Sequence, residues 1–322
     1  MAHGDFIWAD LSSYRPEVTR PFYTQLFEWK FDDYAAHVGK TPTAGLFQMP
    51  QKFMDMGMPS FWMSYIAVDD VAKAVETADK LGGKVELGSA EFEGGGQYAL
   101  IRDPLGAGFT VYNGTALAGA AKGTNARLGH TLIVSDANAV MPFYTALFGW
   151  EFEAAGHDTF AMQQRGDTIG YLHQIEDPAI RGKEQYWAVL FGVANPDMTG
   201  SILNTIGGEV VADIDLPEGP TVVARDPDGA VFFLTQKSGL AGGSMPWKAY
   251  LGLAMMLAGL WFGDAVIWAV FLAVWIIMAL RDKETWMFET VYQSQRPFLF
   301  WSILGLYAVF IAYTMAEVFG AV

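Results

Sequence analysis

The chain has 322 residues, 52% of them apolar, 15% aromatic and only 17% charged, with a formal net charge of −15. That composition excludes a disordered or linker-like protein, and the acidic balance excludes nucleic acid as a partner. Cysteine is absent, so disulfides, thiolate metal sites and a cysteine nucleophile are excluded as well.

An apolar run from Phe6 to Leu11 reads as the first strand. A short helix follows in which Phe22 and Leu26, and Tyr23 and Phe27, stack at i, i+4 spacing on one side. FWMSYIAV (61–68) reads as a strand. The next helix, 69–83, has Asp69 or Asp70 as its N-cap and Gly82-Gly83 as its stop. A final hairpin turns through Asp103-Pro104-Leu105-Gly106, where proline presets φ and glycine accepts φ > 0. The order is close to β-α-β-β-α-β-β.

The pattern then returns. FYTQLFEWKF (22–31) recurs as FYTALFGWEF (143–152), identical at seven of ten positions. LGGKV (81–85) recurs as IGGEV (206–210), and IRDPLGAGFTV (101–111) as ARDPDGAVFFL (224–234). The offsets of 121, 125 and 123 residues mark a duplicated module. The expected boundaries are a first module at 1–114, a Gly/Ala linker at 115–126, a second module at 127–237, a linker at 238–247 and a distinct tail at 248–322.

The tail is apolar. Residues 246–322 hold four basic and five acidic side chains, so −14 of the −15 charges sit on 1–245. Helices are expected near 249–280 and 297–319; the stretch 297–316 carries no charge and is long enough to cross a bilayer. Trp261, Trp268 and Trp275 recur every seven residues, and Asp264 lies on the same stripe. A carboxylate facing lipid is expensive, so this stripe is the expected face toward an integral membrane partner. The first residues show no leader pattern. The expected location is therefore a membrane, of the bacterial inner type, with the soluble modules on the cytoplasmic side.

The FY-x-x-LF-x-W helix, the Val68-Asp69-Asp70 helix start, the Gly-Gly-x-Val step and the Asp-Pro-x-Gly turn together resemble the vicinal-oxygen-chelate superfamily. That group contains glyoxalases, bleomycin-resistance proteins and extradiol dioxygenases. The resemblance covers about 1–237. It implies an α+β fold in which two tandem βαβββ (glyoxalase-like) modules form a curved-sheet bowl, here followed by a C-terminal helical membrane anchor.

The resemblance also implies a divalent metal in the bowl, held from the first and last strand of each module. The matching positions are Trp8, Thr110, Gly129 and Phe233, none of them a good ligand for a divalent ion. No cofactor is therefore expected there. His130, one place from Gly129, is the one candidate metal ligand, and it needs a strand bulge to turn inward. Asp10 shares a strand face with Trp8 and is the candidate catalytic carboxylate. The expected ligand pocket is Trp8, Asp10, Thr110, Gly129, Phe233 and His173. The Met- and aromatic-rich segment 48–63 reads as an adaptable lid over an apolar ligand or as a packed rim loop.

The function this implies is non-catalytic: a membrane-anchored accessory or small-molecule-binding subunit, with a small apolar ligand. The alternatives are sequestration, as in bleomycin-resistance proteins, and a metal-dependent lyase or dioxygenase.

Overall fold

The computed structural model describes residues 2–177, 180, 185–217, 219–236, 284–287, 289–292, 301, 304, 305 and 307. The chain divides into two compact units, Met1–Gly242 and Gly243–Val322.

In the first unit the first module runs β1 (Phe6–Ser13), α1 (Pro16–Phe27), β2 (Lys30–Asp32), β3 (Ala35–Val38), β4 (Thr41–Gln48) and the short α2 (Gln51–Asp55). It continues with β5 (Phe61–Ala67), α3 (Val71–Lys80), β6 (Lys84–Glu91), β7 (Gln97–Arg102) and β8 (Gly108–Tyr112). These strands form one eight-stranded sheet in the order β2-β3-β4-β1-β5-β8-β7-β6. β1 pairs parallel with β4 and antiparallel with β5, and β5 pairs parallel with β8.

The second module repeats this: β9 (Arg127–Val134), α4 (Ala137–Phe148), β10 (Glu151–Gly156), β11 (Thr159–Gln164), β12 (Asp167–Gln174), β13 (Tyr186–Val193), α5 (Pro196–Leu203), β14 (Glu209–Leu216), β15 (Gly219–Arg225) and β16 (Val231–Gln236). Its sheet has the order β10-β11-β12-β9-β13-β16-β15-β14.

Each module thus holds two βαβββ units, where the sequence reading expected one, and there are two curved sheets where it expected a single bowl. The extra unit escaped notice because β2 and β3 have only three and four residues, too few for a period-2 pattern to register.

Local signals place the helices. Asp70, of the two candidates, caps α3 through its bond from Lys73 N at 3.0 Å. Gly82 takes φ +83° just past that helix, and Gly83 N returns to Ala78 O at 2.9 Å. Asp136 caps α4, and Gly149 ends it in the left-handed region.

The two modules share their cores. One core joins Phe22, Tyr23 and Phe27 of α1 to Val189, Phe191, Val222 and Phe232 of the second module. The other joins Phe143, Tyr144 and Phe148 of α4 to Ile66, Ile101 and Phe109 of the first. Each helix therefore packs on the far half of the other module's sheet.

The repeated motif residues lock this exchange. Tyr23 OH donates to Asp226 Oδ2 at 3.1 Å and accepts from Trp62 Nε1 at 3.0 Å. Tyr144 OH donates to Asp103 Oδ2 at 3.0 Å and accepts from Trp187 Nε1 at 3.0 Å. Both carboxylates also hold their own turn, Asp103 through Leu105, Gly106 and Ala107 N–H groups and Asp226 through Asp228 and Ala230.

The described part of the second unit includes an antiparallel pair, β17 (Glu284–Met287) and β18 (Glu289–Tyr292), between the two stretches where helices were expected. Among the described residues no helix is long and apolar enough to cross a membrane. The helices expected near 249–280 and 297–319 lie outside the described residues, except for helical positions 301, 304, 305 and 307. Trp261, Asp264, Trp268 and Trp275 also lie outside them.

Candidate functional site

Two bowls exist, and the expected pocket residues divide between them. The floor of the first is set by β4, β1, β5 and β8, whose register puts Asp10 beside Gly45, Trp8 beside Tyr65 and Tyr65 beside Thr110. Trp8 Nε1 donates to Asp10 Oδ1 at 2.6 Å. Tyr65 and the Gly45 N–H also donate to Asp10, and Thr110 donates to Tyr65. The result is a directed chain of donors that ends on one buried carboxyl.

Burial raises the Asp10 pKa above its ordinary value, opposed by the bonds from Tyr65, Trp8 and Gly45. Burial, then the Asp10 charge, holds the Tyr65 phenol well above its ordinary range. Gly45 is required by close approach: a Cβ there would lie 1.9 Å from Asp10 Oδ1.

The second bowl has the same backbone and different chemistry. By register, Gly129 takes the place of Trp8, Thr131 of Asp10, Tyr171 of Gly45, Leu190 of Tyr65 and Phe233 of Thr110. Ile133, Ile180, Ala188, Leu190, Val223 and Phe233 fill it as a buried apolar cluster. Gly129 and Phe233 thus belong to a packed interior and line neither of the cavities described below. His173 shares the bowl-side face with Tyr171, at a ring distance of 6.1 Å, and its Nδ1 meets Thr159 Oγ1 at 3.1 Å. Trp8, Asp10 and Thr110 come together; Gly129, Phe233 and His173 are in the other module.

His130 sits on the convex side of β9. Its ring stacks on Phe6 with centroids 4.5 Å apart. Nδ1 is 2.7 Å from Ser64 Oγ and Nε2 is 2.9 Å from an Arg127 nitrogen. Because a guanidinium only donates, Nε2 accepts and Nδ1 carries the proton. Burial first, then Arg127 and Lys122, push its pKa well below the usual value, which keeps the ring neutral. Both nitrogens are committed to the module junction, and neither is offered to a metal.

The donor set does not fit the divalent ion that the fold class implies. Among the described residues no three His, Asp or Glu side chains converge on one point. The first bowl's inward positions hold one carboxyl with an indole, a phenol and a hydroxyl, and the second bowl's hold Thr131, Tyr171 and a single imidazole, His173, with no carboxyl.

Where the modules meet, a cavity of about 460 Å³ is lined by Phe53, Met56, Met58, Trp62, Met63 and Trp187, among others. Its walls include much of the Met-rich segment. Met63 is the strand partner of Asp10 and Leu100 that of Thr110, so the cavity begins at the lip of the first bowl. Arg102 and Arg225 stand at equivalent places on its wall; Glu86 pairs with Arg102 at 3.0 Å and Glu209 with Arg225 at 3.3 Å.

Sequence reasoning missed Gly45, Tyr65 and this cavity. Period-2 alternation through FWMSYIAV already placed Tyr65 on the face of Met63. Nothing local marks Gly45, whose constraint comes from a side chain 35 positions earlier.

Comparison with known proteins agrees with this geometry. Residues 130–235 match the family model of the glyoxalase-like domain. The chain is 29% identical over 242 residues to "Putative glyoxylase CFP32" of Mycobacterium tuberculosis (strain CDC 1551 / Oshkosh), covering 70% of this chain and 92% of that one. It is also 29% identical over 271 residues to the anthracycline biosynthesis protein DnrV of Streptomyces peucetius, covering 73% and 94%. Among solved structures, the Mn(II)-bound glyoxalase from Novosphingobium aromaticivorans superposes with a TM-score of 0.52 at 13% identity, over 73% of this chain and 82% of that one. Residues 130–235 are thus similar to the glyoxalase-like domain, and the paired sheets share their fold with that solved glyoxalase.

Proposed function

We propose that this chain binds a small, mostly apolar organic molecule at the lip of the first bowl, without a metal, and that its C-terminal tail tethers it to a membrane. The carrying observation is the 460 Å³ cavity with its Met and Trp lining, which lies in the size range of small-molecule sites. Thioether side chains adapt to flat ring systems, and indole faces stack on them. Similarity to a protein named for anthracycline biosynthesis supports a polycyclic aromatic ligand. The test is titration of the full-length chain with an anthraquinone, read by quenching of tryptophan fluorescence. Saturable quenching that survives EDTA and is lost in Met58→Lys is expected. Binding that EDTA abolishes overturns the metal-free reading, and no binding by any flat aromatic overturns the ligand class.

A second reading is favoured by Asp10. A buried carboxyl with a raised pKa at the end of a donor chain is suited to proton transfer. Turnover of a bound ligand that Asp10→Asn abolishes, with affinity unchanged, would favour this reading over simple binding.

The tether rests on the uncharged stretch 297–316 and on the Trp261, Asp264, Trp268 and Trp275 stripe, which suits an integral membrane partner. Alkaline carbonate washing should leave the full chain in the membrane pellet and release a chain ending at residue 242; release of both overturns the tether.

A further inference from the structure

Arg127 opens β9 and is 1% exposed. Its Nη2 donates to Ile7 O at 2.9 Å and its Nη1 to His130 Nε2 at 2.9 Å. Its Nε has no hydrogen-bond partner among the described residues, and burial alone accounts for the shift of its pKa to about 10. No described carboxylate compensates this charge, and a buried, unpaired cation is costly. The fold does not demand it. By register the equivalent of Arg127 in the first module is Phe6, since Phe6 pairs with Ile66 as Arg127 pairs with Phe191.

A second cation stands beside it. The linker is brought back so that Lys122 and Arg127 form a parallel bridge, with Gly123 N donating to Arg127 O at 3.3 Å. Gly119, at φ +76°, gives the linker its bend. Lys122 is exposed at the cavity rim, and desolvation by the surrounding chain, then the Arg127 charge, lower its pKa against the opposing pull of Asp5. Of the other titratable groups here, His130 is neutral, and the Asp5 carboxylate is engaged by Arg165 and by Ala2 N at 2.6 Å.

Lys122, Arg127 and Asp5 share the wall of a second cavity of about 460 Å³ with Phe6, Ile7 and Leu117. It has no lining residue in common with the Met-lined cavity. We propose that this linker cavity is a binding site for a small organic anion, a carboxylate or phosphate ester on an apolar body, with the anionic head between Lys122 and Arg127. The anion supplies the charge that the fold omits, and the apolar wall takes the rest of the molecule.

The experiment is calorimetric titration of the full-length chain in a neutral detergent and low-chloride buffer. The probes are hexanoate, hexyl phosphate, hexanol and hexylamine. Hexanoate or hexyl phosphate should bind at least about tenfold more tightly than hexanol, and hexylamine should not bind. The tighter of the two anions identifies the source. Lys122→Gln, at a position that is not buried in a core, should weaken the anion at least about fivefold and leave hexanol unchanged. Arg127→Phe, which installs the first module's residue, should abolish anion selectivity in a folded chain. Equal binding of hexanol and the anions, unchanged anion affinity in Lys122→Gln, or no anion binding at millimolar concentration overturns the proposal. Met58→Lys, which disrupts the other cavity, should leave anion binding intact.

Discussion

The two modules share a backbone and differ by face. On the convex side the copies agree: Tyr23 with Tyr144, Trp62 with Trp187, Asp226 with Asp103, Trp29 with Trp150, and all are buried. On the concave side they diverge, with Trp8, Asp10, Gly45, Tyr65 and Thr110 opposed to Gly129, Thr131, Tyr171, Leu190 and Phe233. The convex side makes the contacts that join one module to the other, so both copies need the same residues. The concave side is free to hold a donor chain in one copy and an apolar plug in the other. The sheet's curvature is independent of what fills it.

The comparison breaks most sharply at the plug. Phe233→Ala should cost about 4 kcal/mol, because it leaves a void among Ile133, Leu190 and Val223. Thr110→Ala, at the matching place in the first bowl, should cost about 1 kcal/mol through its lost bond to Tyr65. Urea denaturation of the two variants measures the difference; equal costs would mean that the two bowls are packed alike.

Gly45→Ala should cost about 3 kcal/mol, since the new methyl meets the Asp10 carboxyl. Asp10→Ala should restore much of that loss in the double variant, and a double-mutant cycle reads the coupling. Additive losses would place the strain elsewhere.

Asp226 sharpens the comparison by pH. Burial, against the Ala230, Asp228 and Tyr23 hydrogen bonds, pushes its pKa from 3.8 up to about 6. Between those values the folded chain holds a proton that the unfolded chain has released. Stability therefore falls as pH rises through that window, and the raised carboxyl costs roughly 3 kcal/mol at neutral pH. Asp226→Asn should flatten the dependence. Unfolding midpoints at either end of the window test this, and an unchanged slope refutes it.

A smaller effect than at Phe233, Gly45 or Asp226 is expected at the tyrosine hydroxyls. Tyr23→Phe and Tyr144→Phe should each cost about 2 kcal/mol by stranding a buried carboxylate oxygen and an indole N–H. Similar values confirm the symmetry of the two locks, and a large gap breaks it.

Much of this was legible in advance. The FYT…LF and Asp-Pro-x-Gly repeats announced the duplication, and the glycine of each turn is explained locally by positive φ at Gly106 and Gly229. Nothing in that motif assigns its aspartate a role beyond the turn. Its second role, receiving a tyrosine from the other module, depends on residues 203 positions apart in one lock and 41 in the other, and carries no local signal. Asp10 was legible as an inward carboxyl because strand alternation is a local rule. The count of βαβββ units was not, because β2 and β3 are held by their neighbours in the sheet and not by a pattern of their own.

The sequence by itself determined the duplicated module, the helix caps, the turn chemistry and the inward position of Asp10, all of which follow from residues within a few places of one another. Tertiary structure decided that each module holds two units and that the helices pack across modules. It also decided that one bowl stays polar while the other is plugged, and that Arg127 lies buried beside Lys122 without a carboxylate. Those outcomes depend on which distant strands become neighbours, and a neighbour's side chain is what converts an inward position into a site or a core.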